Sequence, residues 1–390
     1  MPTENPAVLE ALALLAALGY TEEAAQMLAL LVYAQAAQGQ LTPTDGDDNL
    51  SDFIGLGFLY GAGGNDTLTG GGIPLLEDGG DILLGGDGDD LMNGGGFLVF
   101  VSGDDTLIGG AGNDTANGAD GNDSLLGDLG ADLLNGEAGD DTIMGVLGDH
   151  RMNGGSGADL VLGGLGNEQV NGGTGDDSLS GGLGDDTLNG GNTELIFISG
   201  GADTIDGGLG NDSIDGNVAN DSLIGGWGDD TILGGAGNDT AEGGIGDDRL
   251  DGGNDHDSLR GESGLDTLIG GNGNDSVDGG SGADSLAGGN GNDSMVGGSG
   301  ADTLTGGQGS DTLEGGDGAD LFSLAGFSNN STDRILDFDF AEGDRISLGG
   351  TGPWTESAHA DGTQFTSSSG RVLILVGVNP DDVDASIFVP

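Results

Sequence analysis

The chain has 390 residues, 90 of them glycine, and a formal charge of -62, which together exclude an ordinary packed core. Lysine is absent and the basic residues are only Arg151, Arg249, Arg260, Arg334, Arg345 and Arg371, so nucleic acid and anionic lipid headgroups are excluded as electrostatic partners. Cysteine is absent too, which excludes a disulfide framework and thiolate metal sites.

In chain order, residues 5–38 are expected to form a helical hairpin. Asn5 serves as N-cap with Pro6 at the first helical position, Gly19 ends the first helix, and Thr21 caps the second with Glu22 and Glu23 behind it. Leu9, Leu12, Leu15 and Leu18 on the first helix, with Met27, Leu28, Leu31 and Val32 on the second, exceed what two short helices bury in each other, which implies a partner surface. The segment lacks the basic flank and small-residue cleavage site of a Sec signal, and its apolar run from Ala7 to Leu18 is too short to span a bilayer, so no transmembrane helix is expected. Residues 1–44 are read as this hairpin and its linker.

From residue 45 to 322 the chain repeats a nine-residue unit of the form GGxGxDxUx, where U is apolar. An aspartate recurs at Asp203, Asp212, Asp221, Asp230, Asp239, Asp248, Asp257, Asp266, Asp275, Asp284, Asp293, Asp302, Asp311 and Asp320, every ninth residue without exception. Upstream, Asp105, Asp114, Asp123, Asp132, Asp141, Asp159, Asp177 and Asp186 hold the same spacing, with His150 and Glu168 in two of the slots, and Asp48, Asp66, Asp81 and Asp90 open the series. Two residues after the slot comes the apolar position, as at Leu107, Ile143, Val161, Leu179, Ile205, Leu223, Leu268, Leu304 and Phe322.

Such a unit reads as a glycine-rich turn followed by a short strand, two units making one coil of 18 residues. Strands then stack in parallel into two facing sheets with the U side chains between them, and the turns stack along two edges about 4.8 Å apart. Bare edges of this kind are columns of carboxylates repelling by roughly 1 to 3 kcal/mol per neighbouring pair, so the chain alone is expected to be unfolded. Carboxylates, Asn side chains and glycine carbonyls are hard oxygen ligands, which points to Ca²⁺, about two dozen ions, as the condition for folding.

Units such as Gly234 to Leu250 resemble the hemolysin-type calcium-binding repeats of the RTX (repeats-in-toxin) family, and the resemblance covers residues 45–322. It implies a mainly β, right-handed parallel β-roll, export by a type I secretion system in an unfolded state, and folding on calcium outside the cell. Residues 323–390, with Asp333-Arg334-Ile335-Leu336-Asp337-Phe338, Gly343 to Leu348 and the apolar tail Ile387-Phe388-Val389-Pro390, resemble the C-terminal β cap and secretion-signal region of serralysin-like exported proteins.

The repeat breaks in four places. Asp66 to Asp81, Asp90 to Asp105 and Asp186 to Asp203 are lengthened by Ile73-Pro74-Leu75-Leu76, Phe97 to Val101 and Leu195 to Ile198, and Phe53 to Tyr60 replaces an acidic turn. Counting turns from Asp48 puts all four on the same edge. Two readings stand: an apolar strip that receives the hairpin of this chain or of a neighbour, or loops that fold back to cap the first coils.

No catalytic constellation emerges. His150, His256 and His359 are scattered without an HExxH zinc signature, Gly-Gly-Ser-Gly at 154–157 and 297–300 is a repeat turn rather than a nucleophile elbow, and no lysine completes a phosphate loop. Arg151 beside His150 is expected to supply a positive group in place of an ion. The function expected is that of a non-enzymatic extracellular structural or adhesion protein, self-associating through the hairpin and the apolar insertions. A membrane-active RTX protein and a carbohydrate-binding accessory module are the alternatives.

Overall fold

The computed structural model describes residues 46–47, 49–51, 58–70, 81–94, 103–191, 201–324, 331–347, 354–368, 370–383 and 387–389. The expected hairpin and linker, Asp48, and the insertions at 73–76, 97–101 and 195–198 lie outside these residues. Of the segment 53–60, the last three residues open a strand in which Phe58 and Leu59 are buried. The described residues form two compact units, one ending at Leu134 and one beginning at Asn135.

Both units are parallel β-solenoids. In the first, Phe58–Gly63, Ile82–Asp87, Thr106–Ala111 and Ser124–Leu129 pair in parallel as one sheet, while Asn49–Ser51, Thr67–Thr69, Leu91–Asn93 and Thr115–Asp120 pair as the other. In the second, Thr142–Leu147 pairs with Leu160–Leu165 and Arg151–Ser156 with Gln169–Thr174, partners lying 18 residues apart. The pattern persists to Thr312–Gly318 and Leu321–Ser323. Between the sheets the U residues are buried, Ile143, Val161, Leu179, Ile205, Leu223, Leu268 and Phe322 among them. A one-residue slip would turn these side chains outward and the Asp-flanking polar residues inward, so the period of nine fixes the register.

The lengthened turns follow one sheet only. In the second unit the strands that stop after three residues, Thr187–Asn189, Ser213–Asp215, Leu321–Ser323 and Arg345–Ser347, all belong to the sheet that contains Arg151–Ser156. The first unit shows the same restriction at Asn49–Ser51, Thr67–Thr69 and Leu91–Asn93. The strands that run into the four insertions, Asn49–Ser51, Thr67–Thr69, Leu91–Asn93 and Thr187–Asn189, are all among these.

The last coil does not end on an open sheet. Val372–Val376 pairs in parallel with Thr332–Ile335 and antiparallel with Gly362–Ser367, which pairs in turn with Trp354–His359. Phe388–Val389 adds to Arg345–Ser347, and the Phe388 ring meets Phe365 edge-on at 5.5 Å. An Arg334–Asp361 ion pair at 2.9 Å ties the hairpin to the coil below. Parallel stacking leaves a row of unpaired backbone groups at its end, and here Val372–Val376 and Phe388–Val389 pair with the last coil's strands and hand the edge on to an antiparallel hairpin.

Candidate metal-binding edges

Each turn is built the same way. In turns of regular length the fifth residue before the slot is a glycine, and Gly70, Gly94 and Gly190 take its place before Asp81, Asp105 and Asp203. Its missing side chain leaves room for the slot carboxylate to fold inward: a Cβ on Gly279 would lie 2.6 Å from Asp284 Oδ2 and 2.6 Å from the Gly297 carbonyl oxygen of the next coil. The following glycine, Gly280, has φ +94, a left-handed conformation that L residues avoid. The slot residue itself is buried. Every expected ligand from Asp66 to Asp320 is buried against the turn, with Asp48 the one member outside the described residues.

One carboxylate oxygen has a partner. Asp284 Oδ1 accepts the backbone N–H of Asp266 at 2.9 Å, and the Asp284 N–H donates to Asp302 Oδ1 at 2.8 Å, so each slot is tied to the next coil. The same bond runs from Asp203 to Asp221, Asp221 to Asp239 and onward along the other edge of the second unit, and from Asp90 to Asp114 in the first. The second oxygen has none: Oδ2 of Asp90, Asp114, Asp159, Asp177, Asp203, Asp212, Asp284 and Asp302 is buried without a hydrogen-bond partner. A buried, half-satisfied carboxylate is costly unless a proton or a cation meets it. Burial accordingly raises Asp114, Asp203, Asp221, Asp230 and Asp293 to about 7, and Asp90, Asp159, Asp212 and Asp320 to about 6.

These groups fit Ca²⁺. The unsatisfied oxygen of Asp284 and the Gly297 carbonyl oxygen of the next coil both lie beside Gly279, all donors are hard oxygens, and no thiolate or imidazole is needed. Among the described residues no three His, Cys, Asp or Glu side chains gather as a metal cluster. Each site would instead take one or two slot carboxylates, the remaining ligands being backbone carbonyls of adjacent coils.

The slot series extends beyond the expected one. Asp333 and Asp344 are buried, and their Oδ1 atoms accept the N–H groups of Asp311 at 2.9 Å and Asp320 at 3.0 Å. They lie 22 and 24 residues from their partners, which hides them from a strict period, yet each keeps the apolar residue two places on, Ile335 and Ile346. The Asp-x-Ile pattern was the available signal.

Two slots differ. The His150 ring fills the space by Gly145 that a slot carboxylate takes elsewhere, and Glu168 takes the next slot on that edge, its N–H donating to Asp186 Oδ1 at 2.7 Å. Burial and the adjoining Asp186 carboxyl push Glu168 upward. Arg151 does not enter this turn, contrary to expectation. It begins the following strand, where side chains alternate outward, and its Nε donates to Gln169 Oε1 at 3.0 Å on the surface.

The family described as RTX calcium-binding nonapeptide repeat matches residues 57–72 and 77–97 and, in overlapping stretches, 101–192 and 197–322. No curated protein sequence matches the chain. Among solved structures, the R3 subunit of a mannuronan C5-epimerase from Azotobacter vinelandii is 28% identical over 35% of this chain and 78% of its own, with a TM-score of 0.24. A hyperactive, Ca²⁺-dependent, β-helical antifreeze protein from an Antarctic bacterium is 17% identical over 78% of this chain and 87% of its own, with a TM-score of 0.38. An extracellular lipase from Serratia marcescens is 19% identical over 60% of this chain and 40% of its own, with a TM-score of 0.16.

Proposed function

This chain belongs to the RTX calcium-binding nonapeptide repeat family, and from that premise we propose that it is a non-enzymatic structural or adhesion protein of the cell exterior, exported unfolded and folded there by Ca²⁺. The observation that carries the reading is the column of buried slot carboxylates on both edges of the second unit, among them Asp159, Asp177 and Asp203 on one edge and Asp212, Asp284 and Asp302 on the other, whose Oδ2 has no hydrogen-bond partner. Bound calcium would neutralise these groups, and the slot aspartates with the glycine carbonyls beside them would hold it. The chain's own part is to stack the donors, exclude water from them and keep the U residues buried between the sheets.

The acidic composition supports export before folding, since the unbound chain repels itself where calcium is scarce. The C-terminal residues 323–390 are assigned the cap and the secretion signal. Self-association is supported by the apolar composition of residues 5–38 and by exposed leucines on the roll such as Leu165 and Leu183. The test is a calcium titration of chelated protein at neutral pH, followed by circular dichroism and calorimetry. Cooperative gain of strand with uptake of many ions is expected, and a chain already fully folded in chelator would overturn the reading.

A further inference from the structure

The third residue of each GGxG turn points outward, and its character differs between the two edges of the second unit. On the edge of unchanged length it is Leu147, Leu165, Leu183, Leu209, Trp227 and Ile245, each 39–61% exposed. These six are consecutive Cα partners in parallel strands, so they form one unbroken apolar ladder. Five steps of about 4.8 Å make it roughly 24 Å long. On the lengthened edge the same place carries Asn254, Asn272 and Asn290, hydrogen-bonded to one another at 2.8 and 2.6 Å. A row of exposed Asp and Asn beside the ladder, locked by bonds such as Asn167 N–H to Asp149 Oδ1 at 2.9 Å, keeps its rim polar.

A ladder of six large apolar residues in a chain of charge -62 is a docking surface rather than scattered surface Leu. We propose that its occupant is the N-terminal apolar stretch, residues 24–37, of a second copy of this chain, exchanged reciprocally between two copies. The inference rests on the self-association reading above. That stretch contains no charged residue from Ala24 to Ala37, as the uncharged rungs require, and as a helix its 14 residues would span about 21 Å, the length of the ladder. Half-exposed rungs offer on the order of 80 Å² each, so one contact buries about 1,000 Å² over both faces, short of the ~1,200–2,000 Å² of stable pairs. Reciprocal exchange doubles it to about 2,000 Å² and explains why both apolar surfaces are kept on one chain.

The experiment is multi-angle light scattering on the full calcium-loaded chain through a dilution series. A dimer that dissociates on dilution is expected. Leu165→Ser, Leu183→Ser and Leu209→Ser combined, and separately Leu28→Ser, Leu31→Ser and Val32→Ser combined, should each weaken it about a hundredfold. Asn254→Ser, Asn272→Ser and Asn290→Ser on the opposite edge should leave it unchanged. A photo-crosslinking residue in place of Trp227 should capture a peptide from residues 24–37 in a band of dimer mass. A monomer at every concentration, a dimer indifferent to both Leu sets, or capture within a monomer-mass band would overturn the proposal. Calcium-induced strand signal, recorded on the same samples, separates these outcomes from failure of the folding reading, and crosslinking of the otherwise unaltered chain decides the case if a Ser variant does not fold.

Discussion

The turns around Asp266, Asp284 and Asp302 and those around His150 and Glu168 share a backbone and differ in chemistry. Both sets keep 18-residue pairing, and the backbone bond into the next strand is 2.8 Å from Ser285 N–H to Asp266 and 2.9 Å from Gln169 N–H to His150. In the regular set two glycines start each turn or, as at Glu262, one glycine and a polar residue; in the other, Val146 stands at the second glycine position with φ 92. Slot carboxylates there give way to an imidazole and a longer carboxyl. The coil tolerates the loss of a ligand because the parallel strands and the U residues hold it in place, whereas charge balance at the edge depends on each slot.

The largest effect expected is on pH dependence. Without calcium the carboxyls of Asp203, Asp221, Asp230 and Asp293 are raised to about 7, while in the unfolded chain they titrate near the ordinary value of about 3.9. A raised carboxyl favours the folded state fully only below the unfolded value, and that support is lost as pH rises through about 7. In chelator, strand content should therefore be greatest in acid and vanish toward pH 8. In calcium the trend should reverse, because protons compete for the ligand oxygens. Circular dichroism across pH in both conditions checks this, and parallel trends would break the link between buried carboxyls and metal.

Next in size is removal of one regular slot. Asp284→Asn keeps an oxygen for the Asp266 N–H but withdraws the charge, and in calcium it should cost about 3 kcal/mol with loss of bound ion, read from denaturant midpoints and ion stoichiometry. A cost under about 1 kcal/mol would mean that the carboxylates are not ligands. His150→Asp is the converse and smaller change. It should add an ion and roughly 1 to 2 kcal/mol in calcium, yet destabilise in chelator, where it contributes only another buried charge. The same sign in both conditions would sink the comparison.

The slots and the core were legible because a period of nine places Asp and an apolar residue two apart in every unit, and both are buried as that spacing demands. Asp333 and Asp344 escaped because loops intervene, although the chain keeps Asp-x-Ile at both. The apolar ladder escaped for a different reason: x in GGxG is free to vary as far as the turn is concerned, and only pairing of alternate turns brings Leu183 over Leu165 and Trp227 over Leu209. Arg151 was assigned to the turn by adjacency to His150, but the strand begins between them and sends neighbours to opposite faces.

The smallest effect concerns Val146 alone. A β-branched residue at φ 92 is held in a conformation that costs of order 1–3 kcal/mol, whereas Gly280 at the matching place of a regular turn takes φ +94 freely. Val146→Gly should relieve that strain, less what glycine loses in the more flexible unfolded chain, leaving a net gain of about 1 kcal/mol. The gain should be equal in high and in limiting calcium, since no ligand changes, which separates it from the His150→Asp effect. Denaturant midpoints at two calcium levels decide it: a loss of stability would mean that the Val146 side chain packs on its neighbours strongly enough to outweigh the strain, and a gain that varies with calcium would place the residue in the binding edge itself.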